Sequence, residues 1–215
     1  MDKNSFLNAL QEARKKAGKR NFSQTIELII SFKGINLKNA DHQIDFFMQL
    51  KHPWKKLKFC GFVGAELVDQ SKKVFDRTIL VDDFGKYKNK REIKTLAREN
   101  DIFIAQANLM PQVAAVFGRY LGPLGKMPNP KAGCVVPSNA NLDALKDRIS
   151  KMVNIKVKTV PVLQLGMGKE ESKDEDIAED ALLIYDQLIH RLPGEVQNIK
   201  SMFFKLTMGG TARIK

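Results

Sequence analysis

The chain has 215 residues, room for two domains, and its 43% hydrophobic content suits packed cores rather than a disordered or fibrous polymer. Lys and Arg number 36 against 24 Asp and Glu, a net charge of +12 with an isoelectric point near 9.7, which favours polyanionic partners. No apolar run approaches the ~18 residues that cross a bilayer, the opening Met1-Asp2-Lys3-Asn4-Ser5 lacks the apolar core of a secretion signal, and Cys60 and Cys134 are too far apart for a disulfide framework, so a cytoplasmic protein with buried free thiols is expected.

Phe6, Leu7, Leu10, Ala13 and Ala17 recur at helical spacing, which predicts a first helix stopped by Gly18. Its basic end, from Arg14 to Arg20, suits a helix C-terminus. Two alternating segments follow. Ile26, Leu28, Ile30 and Phe32 point one way in the first, and Ile44, Phe46, Met48 and Leu50 do so in the second. Period-two alternation predicts half-buried strands with one polar face.

The texture changes near His52-Pro53-Trp54. Apolar runs at 57–63, 79–81 and 102–105 predict short strands, and helices are expected over 64–75, 89–99 and from about 108. Cys134-Val135-Val136 is a candidate fourth strand, and 141–152 a further helix. Such alternation argues for a parallel sheet flanked by helices. Beyond 152 the texture changes again. Segment 155–165 is β-rich but contains Pro161, which places it at an edge or at an irregularity. A helix is predicted over 174–190, with Ser172 and Glu175 spaced as a capping box. Met202, Phe204 and Leu206 share one face of a last strand.

These patterns predict an α/β fold of two domains. Neither chain end has enough apolar faces to be stable alone, so residues 1–52 and 153–215 are expected to combine into a two-layer sheet-plus-helix domain. Residues 53–152 form a Rossmann-like three-layer insert. The insert carries 18 basic and 10 acidic residues and the two ends together 18 and 14, so the insert is the more basic half.

No catalytic or metal signature stands out. His42, His52 and His190 have no partner at metal-ligand spacing, and the acidic residues from Glu170 to Asp180 suit a helix N-terminus. The segment Gly118 to Gly133 superficially resembles a phosphate loop. A P-loop needs Gly five residues before its Gly-Lys and a hydroxyl after it. Tyr120 and Met127 occupy those positions, and Pro128 and Pro130 remove backbone donors. What remains is a Gly/Pro loop whose basic residues Arg119, Lys126 and Lys131 are candidates for a secondary RNA contact, or which simply leads into the fourth strand. At the chain end, Lys205-Leu206-Thr207-Met208-Gly209 offers a hydroxyl to a phosphate or 2′-OH, a thioether to a ribose or base, and a glycine that lets RNA approach the backbone.

Three stretches carry a resemblance: Arg20-Asn21-Phe22-Ser23-Gln24-Thr25-Ile26-Glu27, the loop from Leu121 to Gly133, and Lys205 to Gly209. They resemble the family of universal large ribosomal subunit protein one, the protein of the mobile lateral stalk, in its archaeal form. The resemblance implies a non-enzymatic, cofactor-free constituent of the cytoplasmic ribosome whose end-built domain binds ribosomal RNA through Phe22, Thr25, Glu27, Lys205, Thr207, Met208 and Gly209. It further implies contact with exit-site transfer RNA, repression of the protein's own message through a leader that imitates the ribosomal site, no membrane partner, and a monomer off the ribosome. The sequence departs from the family at the inter-domain connection, which reads Leu50-Lys51-His52-Pro53-Trp54-Lys55-Lys56 without glycine. Leu124 stands where the loop usually has Arg, and Gly210 where Pro is common. The alternatives are a nucleotide-dependent enzyme built on the Rossmann-like insert and a basic chaperone or membrane-surface protein.

Overall fold

The computed structural model describes residues 2–39, 42–87 and 89–214. They fall into two compact units, one holding Met1–Lys55 and Val153–Lys215, the other Lys56–Met152.

The first unit contains α1 (Lys3–Lys16), β1 (Thr25–Phe32), β2 (Ile44–Gln49), β7 (Met152–Val157), β8 (Val162–Lys169), α6 (Asp174–Ile189), β9 (Ile199–Leu206) and β10 (Ala212–Ile214). Strands β10, β9, β1 and β8 lie side by side in an antiparallel sheet, while β2 and β7 pair separately. In β1, Ile26, Leu28, Ile30 and Phe32 are buried and the residues between them are half-exposed, as their alternation demands. In β9, Met202, Phe204 and Leu206 do the same. Helices α1 and α6 pack together over the buried face. Phe6 of α1 meets Tyr185 of α6 and Phe204 of β9 edge-on, each at 6.3 Å between ring centroids.

Several local expectations change here. The β-rich segment around Pro161 divides into two strands, β7 and β8. Pro161 occupies the turn between them, where its carbonyl accepts the Phe32 amide at 2.9 Å. Strand β8 does form the sheet edge, and its register with β1 slips between Ile26 and Glu27. The Ser172/Glu175 capping box does not form, because α6 starts at Asp174 and Lys173 is its cap residue. Ser172 lies one position too early, and its hydroxyl accepts the Lys169 amide instead. Arg14 of α1 closes the turn, binding Asp174 at 2.7 Å and the carbonyls of Ser172 and Glu170. The short strand β10 was not anticipated at all.

The second unit contains β3 (Phe59–Val63), α2 (Val68–Val74), β4 (Arg77–Leu80), α3 (Lys90–Glu99), β5 (Ile102–Gln106), α4 (Met110–Leu121), β6 (Val135–Val136) and α5 (Leu142–Ser150). The helix expected to reach 152 ends at Ser150, because Met152 already opens β7. All strands are parallel in the order β4-β3-β5-β6. Helix α2 packs with α5, and α3 with α4. All five residues of β3 are buried, as a central strand covered on both faces requires. Phe62 anchors an aromatic core, 4.8 Å from Phe117, 5.7 Å from Phe103 and 5.8 Å from Phe84 between centroids. Gly61 is obligatory there, since a Cβ would stand 2.6 Å from the Phe75 ring.

The glycine-free connection at 51–54 belongs structurally to the first unit. The amides of Lys51 and His52 donate to the two carboxylate oxygens of Asp180 at 2.9 and 3.2 Å, and Asp180 is only 1% exposed. His52 faces Asp176 and Glu179 as well. Trp54 covers Gly166, where a Cβ would lie 2.7 Å from the indole.

Burial holds the Asp180 carboxyl above its ordinary 3.8, against the opposing pull of the two amide donors. A raised carboxyl keeps its proton longer in the fold than in the unfolded chain. Its contribution to stability is therefore complete below the ordinary aspartate value and declines as pH rises through the raised one. Asp180→Asn is expected to flatten that part of the stability profile, measured as denaturant midpoints across an acid-to-neutral series. Asp180→Ala leaves two amides without an acceptor and is expected to cost about 2–4 kcal/mol in the same measurement.

Candidate nucleic-acid interface

Three segments converge beside the C-terminal end of α1: the chain leading into β1, the start of β1, and the turn after β9. Arg14, Lys15 and Lys16 occupy the last turn of α1, where cations complement the helix dipole. Lys16 reaches the Thr211 carbonyl at 3.1 Å. Gly209 lies against Ala17, and a Cβ there would stand 3.1 Å from the Ala17 Cβ. The glycine thus permits close packing of α1 on the turn, a reason different from the close approach of RNA expected from the sequence.

Gln24 ties these segments together. It is fully buried, its amide nitrogen donates to the Gly18 carbonyl at 3.0 Å, and its amide oxygen accepts the Met208 N–H at 3.2 Å. Its own carbonyl accepts the Glu170 amide. Next to it, the Thr207 hydroxyl accepts the Thr25 amide at 3.0 Å and donates to the Thr25 carbonyl at 3.3 Å. Its hydrogen is therefore engaged within the protein, and a free lone pair is what it offers outward. The sequence-based expectation of a hydroxyl donor to a phosphate or 2′-OH therefore changes, since the donor is already used within the protein.

Strand parity puts Thr25, Glu27, Lys205 and Thr207 together. Ile26 and Leu206 are cross-strand partners on the core face, so their neighbours share the open face, where Glu27 stands opposite Lys205. Lys169 of β8 joins them, its ammonium 3.2 Å from the Thr25 hydroxyl. Phe22 is 52% exposed and Met208 60%, among the few large apolar side chains displayed by the described residues. Both hang from the Gln24 junction, one two residues before it and the other bonded to it. A polar platform with a positive rim, flanked by an aromatic ring and a thioether, suits ribose hydroxyls, phosphates and unstacked bases.

The loop residues lie elsewhere, in the second unit. Arg119 on the last turn of α4 and Lys131 are exposed. Lys126 is not free. Its ammonium donates to the carbonyls of Ala97 and Asn100, both at 2.7 Å, and so satisfies the end of α3. Sequence reasoning missed Gln24, Lys169 and Lys16. Gln24 was adjacent to the named residues, and its inward parity with Ile26 was the available signal.

Among the described residues no group of three His, Cys, Asp or Glu side chains could hold a metal ion. Burial pushes the Cys60 thiol up to about 12 and raises Cys134 too, which makes both poor nucleophiles at neutral pH.

The sequence profile of the Ribosomal protein L1p/L10e family matches residues 12–210. Large ribosomal subunit protein uL1 of Nanoarchaeum equitans is 37% identical over 201 residues, covering 91% of this chain and 93% of the relative. The protein of that name from Methanothermococcus thermolithotrophicus is 35% identical over the whole of both chains. That of Methanocaldococcus jannaschii is 32% identical, covering 100% of this chain and 97% of its own.

Gln24→Ala removes two buried hydrogen bonds and is expected to lower stability by about 1–3 kcal/mol, read from chemical denaturation. Native protein is expected to resist thiol alkylation at Cys60 and Cys134 until denaturant is added, when mass spectrometry should show both modified.

Proposed function

Because the chain belongs to the ribosomal protein L1p/L10e family, we propose that its end-built unit binds large-subunit ribosomal RNA at the mobile lateral stalk, through the open face beside the Gln24 junction. The chain is a protein of the large ribosomal subunit in the cytoplasm and not an enzyme. No helix among the described residues is long and apolar enough to cross a membrane.

The observation that carries the proposal is the display of exposed Phe22 and Met208 beside polar Thr25, Glu27, Lys205 and Thr207. In this reading Glu27 and the free lone pair of Thr207 accept from ribose hydroxyls, and Lys205 meets phosphate. Phe22 and Met208 cover a ribose or base, and Gly209 keeps the turn against α1. Arg119 and Lys131 supply a weaker backbone contact from the second unit. Such a protein stands beside departing transfer RNA in the exit site. It also represses its own message when that message's leader reproduces the shape of the ribosomal site, and it is a monomer off the ribosome.

The test is affinity for the stalk-base fragment of large-subunit ribosomal RNA against an unrelated hairpin of equal length, over a salt series. Binding to the fragment is expected to persist at salt concentrations that release the hairpin, because shape-specific contacts add to the electrostatic ones. Met208→Ala is expected to weaken fragment binding by roughly 1–3 kcal/mol while leaving the fold intact. Thr207→Ala should do the same with some loss of stability, since it also breaks the link to Thr25. Equal, steeply salt-dependent binding to both RNAs would reduce the surface to a basic one and overturn the proposal.

A further inference from the structure

We infer that the outer face of α3 is a second RNA-contacting surface, a ridge formed by Lys90, Arg91, Lys94 and Arg98 that follows the phosphate backbone of a double-stranded RNA segment. The inference rests on the RNA-binding reading above but concerns the other unit and a different chemistry.

At 100° per residue the four cations fall within an arc of about 100° on the helix. Ile93, Leu96 and Ala97 occupy the buried side, at 3%, 1% and 0% exposure. The two acidic residues of α3, Glu92 and Glu99, lie on the opposite flank. Glu99 is bound there by Arg77 of β4 at 3.2 Å. The basic arc is thus turned away from the helix's own acids. None of its four cations makes an ion pair among the described residues.

The surroundings do not neutralise the ridge. From Ile102 to Leu142 the chain contains no Asp or Glu, a stretch that includes the whole of α4, the helix packed beside α3. Lys126 joins the ends of the two helices on one side, close in sequence to exposed Arg119. The layer built by α3 and α4 therefore carries a surplus of positive charge, with its two acids, Glu92 and Glu99, on the flank away from the ridge, which is the footprint of a polyanion site.

Helix stability does not explain the arrangement. Lys90 and Arg91 occupy the first turn beside Glu92, where the helix dipole disfavours cations, whereas three of the cations of α1, Arg14, Lys15 and Lys16, sit in its last turn and Asp174, Glu175 and Asp176 in the first turn of α6. The ridge also displays no large apolar side chain; among the described residues the exposed one in this unit is Leu124, in the Gly/Pro loop. A protein interface is usually anchored by such side chains, and insertion into a lipid surface uses them. Lys90 and Arg98 are about 12 Å apart along the axis, enough to follow several successive phosphates. Recognition of this kind supplies affinity and orientation but no sequence preference.

The test compares two charge-matched variants of the full chain, Lys94→Gln with Arg98→Gln on α3, and Lys72→Gln with Lys73→Gln on α2. Each is titrated with the stalk-base RNA fragment and with an unrelated RNA duplex of equal length, from low to high salt. The α3 variant is expected to bind both RNAs about tenfold or more weakly near 0.1 M salt. Its slope of log affinity against log salt should be shallower by about one to two. The α2 variant should change by less than about twofold, and the preference for the stalk fragment should be the same in all three proteins. Equal losses in the two variants would mean bulk charge rather than a face, and unchanged slopes in the α3 variant would mean no contact; either overturns the inference. Loss of binding to phosphatidylserine vesicles, with RNA slopes retained, would overturn it in favour of a membrane surface. If the unmodified chain shows no stalk preference, the reading of the first unit fails, while the α3-against-α2 comparison on the duplex still decides this one.

Discussion

Strand β1 has no free edge, and both of its neighbours come from the far end of the chain. Ile26 faces Gly168 on one side and Leu206 on the other. That double pairing brings the N-terminal segment against the turn after β9, so that Gln24 can hold Met208 and Thr25 can exchange hydrogen bonds with Thr207. It also supplies the sheet on which α1 and α6 lie, with Phe6 wedged between Tyr185 and Phe204. The platform of Thr25, Glu27, Lys205 and Thr207 exists only as a product of this pairing, since no continuous stretch of chain contains it.

The second unit obeys a different rule. Its strands pair in parallel, β4 with β3 across α2 and β6 with β5 across α4, while β5 crosses back to the other side of β3, and its core is a compact aromatic cluster around Phe62. The chain leaves the first unit after β2 and returns in β7, and these two strands are paired with each other. Departure and return are therefore adjacent, the arrangement in which an inserted domain least disturbs its host. Residues 51–54 are held within the first unit by Asp180 and by the packing of Trp54 on Gly166.

Legibility followed the physics of each element. The period-two runs of β1 and β9 could be read because one face of each is buried and the other is not. The apolar runs of β3 and β5 could be read because both faces are covered. What escaped was whatever depends on a partner distant in sequence. Strand β10 is three residues long and is recognisable only from its pairing with β9. The capping spacing at Ser172 was correct by pattern, yet Arg14 and Ser172 itself close that turn by other means. Among the candidate residues, Met208 was named from its chemistry and Phe22 and Glu27 from the family resemblance; Phe22 and Met208 are exposed and Glu27 is half-buried. The bonding of Thr207 to Thr25, the junction at Gln24 and the engagement of Lys126 with the end of α3 were not legible, because each is a hydrogen bond to a backbone group whose position the local sequence does not reveal.

The order of the strands has a consequence for the chain as it is made. Residues 25–32 emerge from the synthesising ribosome long before residues 162–169 and 199–206 exist to pair with them. Throughout that interval Ile26, Leu28, Ile30 and Phe32 travel on a strand with two bare edges, the form most open to mispairing with other chains. The parallel-sheet unit, whose strands all lie within 59–136, can meanwhile finish folding. The nascent polypeptide is then a folded body trailing an unsatisfied strand on its early side, and protection of that strand during synthesis becomes part of what the sequence has to manage.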